Sequence, residues 1–183
     1  MSCTINKGRL EPCKDSVGGI QAVYFVDYGT LGDIEYENAT SSEIKNVAGV
    51  AAVAPTAFKY VLKGASSLEQ TVTSSRENGT TFYDQLVNLT FKKLSVQSHD
   101  EVALIAVARP HVIVEDNNGN AFLVGTEWGA DVNGGTIVTG AAMGDLSGYT
   151  LTLQGMEKKP ANFLSGGVTG VGITISTTNI TDI

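Results

Sequence analysis

Residues 112–125, Val-Ile-Val-Glu-Asp-Asn-Asn-Gly-Asn-Ala-Phe-Leu-Val-Gly, set two short β-rich runs on either side of a turn. Asn and Gly tolerate the positive φ of a tight connection, and the flanking apolar runs are what a sheet buries. The stretch predicts a hairpin whose polar residues are spent on the turn. One spacing invites another reading: Asp116, Asn118 and Asn120, with Glu127 at the twelfth position, copy part of an EF-hand calcium loop. The match fails at the sixth position, where Ala121 stands in place of Gly, and in the strand-like Phe-Leu-Val that follows. The hairpin is favoured, and no metal site is expected.

Strand and turn signals recur along the chain. Residues 20–27, Ile-Gln-Ala-Val-Tyr-Phe-Val-Asp, form a compact β-branched and aromatic run and predict the first core strand. Between 28 and 55 the signals are short and broken, ending in an Ala/Val-rich patch at 47–54, so a long hairpin or a loop is expected. Residues 57–63 and 68–75 alternate and predict a hairpin with polar faces, and Asn78-Gly79 marks the next turn. Residues 80–94 then divide by parity. Tyr83, Gln85, Val87, Leu89 and Phe91 make a largely apolar face, whereas Phe82, Asp84, Leu86, Asn88, Thr90 and Lys92 make a mostly polar one. A helical reading groups Phe82, Leu86, Leu89 and Lys93 and separates polar from apolar less cleanly.

One helix is predicted, at about 98–108. Ser98 and Glu101 stand at the capping-box offset, and Pro110 ends the segment. Its apolar character nearly all round predicts tight packing on a sheet. Strands at 111–115, 121–125 and 149–153 and a Gly-rich stretch at 129–140 complete the pattern. The fold class expected is mainly β, a β-sandwich or open barrel with one packed helix. At 183 residues the chain suits one domain with extensions: an N-terminal arm at 1–18, a β-sandwich domain at 19–164 carrying the long loop 28–55, and a Gly-rich C-terminal arm at 165–183.

Composition narrows the function classes. The 21 glycines and only 17% charged residues imply many turns and surfaces covered by other copies of the chain. A net charge of −7, with basic residues no denser than the pairs Lys92-Lys93 and Lys158-Lys159, argues against a phosphate-neutralising surface. Cys3 and Cys13 are too few for a disulfide scaffold, and free thiols are expected. The first residues carry no basic-plus-apolar signal, and no apolar run approaches the ~20 residues of a membrane helix. The Asn-x-Ser/Thr matches at Asn38, Asn78, Asn88 and Asn179 are then chance.

Candidate chemistry is sparse. His99 and His111 have no partnered nucleophile or acid in the sequence pattern and read as structural. The glycines between 166 and 172 lack the Lys-Ser/Thr of a phosphate loop. Trp128 reads as a packing or interface residue. No catalytic, cofactor-binding or metal residues are expected, and the chain reads as no enzyme.

The order of these parts, together with Ser-Gly-Tyr-Thr-Leu-Thr-Leu-Gln-Gly-Met-Glu-Lys-Lys-Pro-Ala-Asn-Phe at 147–163, resembles tail-tube proteins of tailed bacteriophages over most of residues 20–163. The resemblance implies a structural virion protein made in the bacterial host cytoplasm. Its copies would form rings, hexameric in ordinary tubes and of higher symmetry in a collar or barrel ring, contacting neighbouring tail proteins and passing DNA as cargo. It implies strand 80–94 as the lumen or ring-forming strand and loop 28–55 as the ring-stacking hairpin. The segments 1–18 and 165–183 have no counterpart in that pattern. Two other readings compete: a capsid decoration protein, and a carbohydrate-binding β-sandwich with Trp128, Asp131 and Tyr149 facing one groove.

Overall fold

The computed structural model describes residues 8–181 apart from Pro12, Ala39 and Thr40. Among them the elements follow as β1 (Ile20–Val26), β2 (Leu31–Tyr36), β3 (Glu43–Gly49), β4 (Thr56–Val61), β5 (Ser67–Ser75), β6 (Thr80–Lys92), α1 (Val96–Val107), β7 (His111–Asp116), β8 (Ala121–Val124), β9 (Asp131–Val138), β10 (Gly148–Glu157), β11 (Asn162–Leu164), the single turn α2 (Gly167–Gly170) and β12 (Thr174–Ile175). The protein is mainly β, as its alternating pattern requires. An eight-stranded sheet runs β12-β4-β1-β7-β8-β11-β3-β2, and a four-stranded sheet runs β5-β6-β10-β9.

The larger sheet curls into a half-barrel, and its central strands β1, β7 and β8 are buried on both faces. Along β1, Val23 and Phe25 enter the core shared with the smaller sheet, while Ala22, Tyr24 and Val26 enter a second core inside the curl. A central strand with no wet face has no reason to alternate, and this is why the sequence there is continuously apolar. The second core is closed by the chain's last part: Val168, Val171 and Ile173 are buried, and Val47 donates its N–H to Val171 O at 2.8 Å. The expected C-terminal arm therefore needs correction, because its first residues fill a core and β12 joins β4 in parallel. Glycine had suggested an unattached tail; here it supplies the left-handed φ of 70° and 76° at Gly166 and Gly167 that turns the chain back into the curl.

The 28–55 segment is a hairpin, β2 against β3, built into the larger sheet. Ile44 and Val47 are buried in the second core, so the hairpin is part of the fold and no appendage. The pairing expected between 57–63 and 68–75 does not occur: β4 pairs with β1, and β5 pairs with β6 in the other sheet. The crossover at 62–66 is fixed at each end to a different sheet. Leu62 N–H donates to Gln21 O at 2.9 Å, and Ser66 Oγ accepts Thr90 N–H at 3.1 Å.

Two turns and the long strand follow the sequence reading. Asn78-Gly79 closes β5 on β6 with Ser75 opposite Thr80, and β6 buries Gln85, Val87 and Leu89 on one face. The helix begins earlier than expected. Ser95, not Ser98, is its N-cap, its Oγ accepting Ser98 N–H at 3.1 Å. It also packs less than expected: only Val102 and Ile105 are buried, while Leu104 and Val107 are 62% and 90% exposed.

Candidate assembly surface

In the smaller sheet, opposite residues share a face, so the register of β6 with its neighbours defines what each side carries. The inner side is Val87, Leu89, Tyr149, Leu151 and Leu153, all buried in the first core. The outer side is a set of polar rows running across the strands. Thr152 Oγ1 donates to Asn88 Oδ1 at 3.0 Å, Gln154 Nε2 donates to the Asp84 carboxylate at 2.8 and 2.9 Å, and the Thr136 and Thr150 hydroxyls bond at 2.7 Å. Asn133 Nδ2 extends one row by donating to Gln154 Oε1 at 2.8 Å. These side chains satisfy one another and leave a wall rich in hydroxyls and amides, with more acids than bases. Its charges are few. Glu69, Asp84 and Asp131 are acidic, Lys92 turns its ammonium to Lys63 O at 2.6 Å, and Phe82, Leu86 and Met156 add apolar surface.

The two edges of this sheet are unpaired among the described residues. β5, nine residues long, pairs only with β6, and β9, eight residues long, pairs only with β10. Both carry exposed apolar side chains, Val72 at 57% and Ile137 at 53%. An exposed edge of this length and composition presents backbone donors and acceptors to any strand laid beside it. Among the described residues no strand continues the sheet at either edge.

Below the wall, a polar cluster ties the two sheets together through the turn after β8. Gln85 Nε2 donates to Lys159 O at 3.1 Å, while its Oε1 accepts Gly125 N–H at 3.1 Å. Glu157 Oε1 accepts the N–H groups of Glu127 and Trp128 at 2.8 and 3.0 Å. Burial raises the Glu157 pKa, and these two bonds offset part of the effect. His111 donates from Nδ1 to Gly125 O at 2.6 Å and stacks on Tyr28 at 5.2 Å between ring centroids. Burial lowers the His111 pKa, favouring the neutral ring. Each buried polar group here is bonded to main chain of the 125–129 turn or its neighbour Lys159, an arrangement that shapes a turn and holds no nucleophile beside a base.

The sequence reading gave no role to Gln85 or Glu157, although both left a signal. Gln85 interrupts the apolar parity of β6, and Glu157 interrupts that of β10, so each is a polar residue at a core position. The remaining candidates are scattered. Asp116 accepts Asn118 and Asn120 N–H at 2.9 and 2.7 Å, and its second oxygen accepts their side-chain amides, so its carboxylate is engaged by the turn itself. Glu127, the supposed twelfth ligand, pairs with Lys158 at 3.2 Å. Trp128 is half exposed, whereas Tyr149 is buried in the core with its hydroxyl on Ser95 O at 3.2 Å, so Trp128, Asp131 and Tyr149 do not face one groove. His99 lies 6.1 Å from the Tyr149 ring. Cys13 is an exposed free thiol, and Cys3 lies outside the described residues. No described helix is long and apolar enough to cross a membrane. Comparisons with protein-family models, with curated proteins and with solved structures give no match to this chain.

Proposed function

We propose that this chain is a structural protein that assembles into rings by continuing its four-stranded sheet from copy to copy, in the manner of a phage tail tube or tail ring. The observation that carries the reading is the combination of two long open edges with a self-satisfied polar wall between them. β5 of one copy laid against β9 of the next makes a head-to-tail contact, which generates a closed ring when the rotation between copies closes. The wall then faces one side of the ring all the way round. Its threonine, asparagine and glutamine rows, with three acids and one diverted lysine, suit a conduit that must not hold a polyphosphate passing along it, since such binding requires clustered Lys and Arg.

Single lysines at the edges test the joint: Val72→Lys on β5 and Ile137→Lys on β9. Both positions are more than half exposed, so folded-state stability should change by less than about 0.5 kcal/mol. Negative-stain microscopy of the parent protein at high concentration is expected to show rings or short tubes. Either lysine should abolish them by charging the edge. Rings that persist undiminished in both variants would remove the sheet edges from the mechanism. Parent protein that stays monomeric or trimeric but adheres to capsids would favour the decoration reading.

A further inference from the structure

A cleft lies away from the polar wall, at one mouth of the half-barrel. It is an open cleft of about 620 Å³ bordered by Ser42, Glu43, Glu115, Asn120, Phe163 and Leu164. Neither of its two carboxylates forms an ion pair among the described residues. Glu115 Oε2 accepts the Tyr24 hydroxyl at 2.6 Å, which fixes its position beside the cleft. Phe163 is 46% exposed, with its ring 4.6 Å from that of Phe122. The cleft is thus acidic, with one aromatic surface.

The N-terminal segment has the opposite character. Lys7, Arg9 and Lys14 against the single acid Glu11 make the first fourteen residues net positive in a chain whose total is −7. Leu10 is 92% exposed. The segment is anchored at its root: Asn118 Oδ1 accepts Val17 N–H at 2.9 Å, Asn118 Nδ2 donates to Val17 O at 2.8 Å, and Asn117 Nδ2 donates to Gly18 O at 2.7 Å. These asparagines belong to the same turn that supplies Asn120 to the cleft. The arm therefore leaves the molecule at the rim of the cleft, yet none of its described residues lines it.

We propose that the cleft receives residues 9–14 of a second copy of this chain, with Leu10 on Phe163 and Arg9 and Lys14 toward Glu43 and Glu115. The eight residues from Leu10 to Val17 are joined by seven steps and reach about 23 Å when extended at about 3.3 Å per step, which lets the arm extend well beyond its root. A repeated head-to-tail operator gives every arm a cleft and every cleft an arm. The proposal rests on the self-assembly reading, but it concerns a different surface from the sheet edges.

Cys13 makes the contact measurable. One full-length protein carries Cys3→Ser and keeps Cys13. A second, of different mass through a fused tag, carries Cys3→Ser, Cys13→Ser and Ser42→Cys. Mixed under assembly conditions and treated with a short bismaleimide, they should yield a cross-linked heterodimer, a product that one chain cannot form alone. Glu43→Lys in the second protein should abolish that product, and Arg9→Glu in the first should restore it. Rings without the heterodimer would overturn the arm proposal and leave the ring reading standing. The heterodimer without rings would do the reverse. Cross-linking confined within single chains of a Cys3→Ser, Ser42→Cys protein would place the arm in its own cleft and also overturn the proposal.

Discussion

The two sheets are built from the same kinds of residue and finished in opposite ways. The eight-stranded sheet is covered on both faces at its central strands and ends in poor edges: β12 is two residues long, and the pairing of β2 is broken by register shifts. The four-stranded sheet is covered on one face and ends in long edges, of which β5 keeps an unbroken register along all nine residues. Short and irregular edges discourage further pairing, whereas long regular ones invite it. On the proposed reading, the larger sheet holds the fold and the smaller one supplies the edges for assembly.

The largest test of that division falls on the hairpin β2–β3. If the larger sheet holds the fold, Ile44, fully buried on β3, is a core residue. Ile44→Ala should then cost roughly 2–5 kcal/mol in urea denaturation, the range for emptying a buried Ile or Leu site. A cost below about 1 kcal/mol would make the hairpin an appendage and erase the distinction between the sheets.

A smaller effect sharpens the comparison within β6. Gln85 on its inner face and Asn88 on its outer face are both amides, but Gln85 is buried between the sheets. Gln85→Leu leaves Gly125 N–H and Lys159 O without their partner and should cost roughly 1–3 kcal/mol. Thr152→Val, which removes the outer-face bond to Asn88, should change stability by less than about 0.5 kcal/mol. Equal costs measured by thermal unfolding would mean that the wall is as integral to the fold as the core.

Local pattern carried the strands, and long-range closure did not. The parity of β6, the Asn-Gly turn before it and the hairpin around Asp116 were legible because each depends on neighbours in sequence. The partners of β4 and β5 were not, since both segments alternate and nothing local says that Leu62 and Ser66 fix the connection to different sheets. Glycine misled in the tail: its freedom reads as slackness, yet it let residues 166–173 fold back into the second core. The helix start shifted because Ser95 and Ser98 both suit a cap, and only the packing of the turn before it selects Ser95. The polar wall was legible as a face of β6, while its rows of mutual hydrogen bonds required the partners of β9 and β10.

The last effect depends on pH and concerns the clamp that joins the sheets, through His111. Its ring lies under Tyr28, donates to Gly125 O and sits near the Arg109 guanidinium, which itself lies over Tyr28 at 5.1 Å. Burial, aided by the Arg109 charge, depresses its pKa in the folded state below the ordinary 6.5. Over the window between those two values the unfolded chain binds the extra proton. The stability of the neutral ring is therefore complete above pH 6.5 and declines as pH falls through the window, by at most about 1.4 kcal/mol per pH unit. Glu157 acts in the opposite sense. Its folded pKa is raised by burial, so its contribution is present below the ordinary carboxyl value and is lost as pH climbs through the raised one. The two are separated by subtraction: His111→Gln, which does not titrate, should flatten the acid side of the urea-midpoint profile between pH 5 and 7 and leave the Glu157 contribution in place. Parallel profiles for parent and variant would show that the clamp tolerates a charged imidazole, and the junction between the sheets would then be more open to water than its burial indicates.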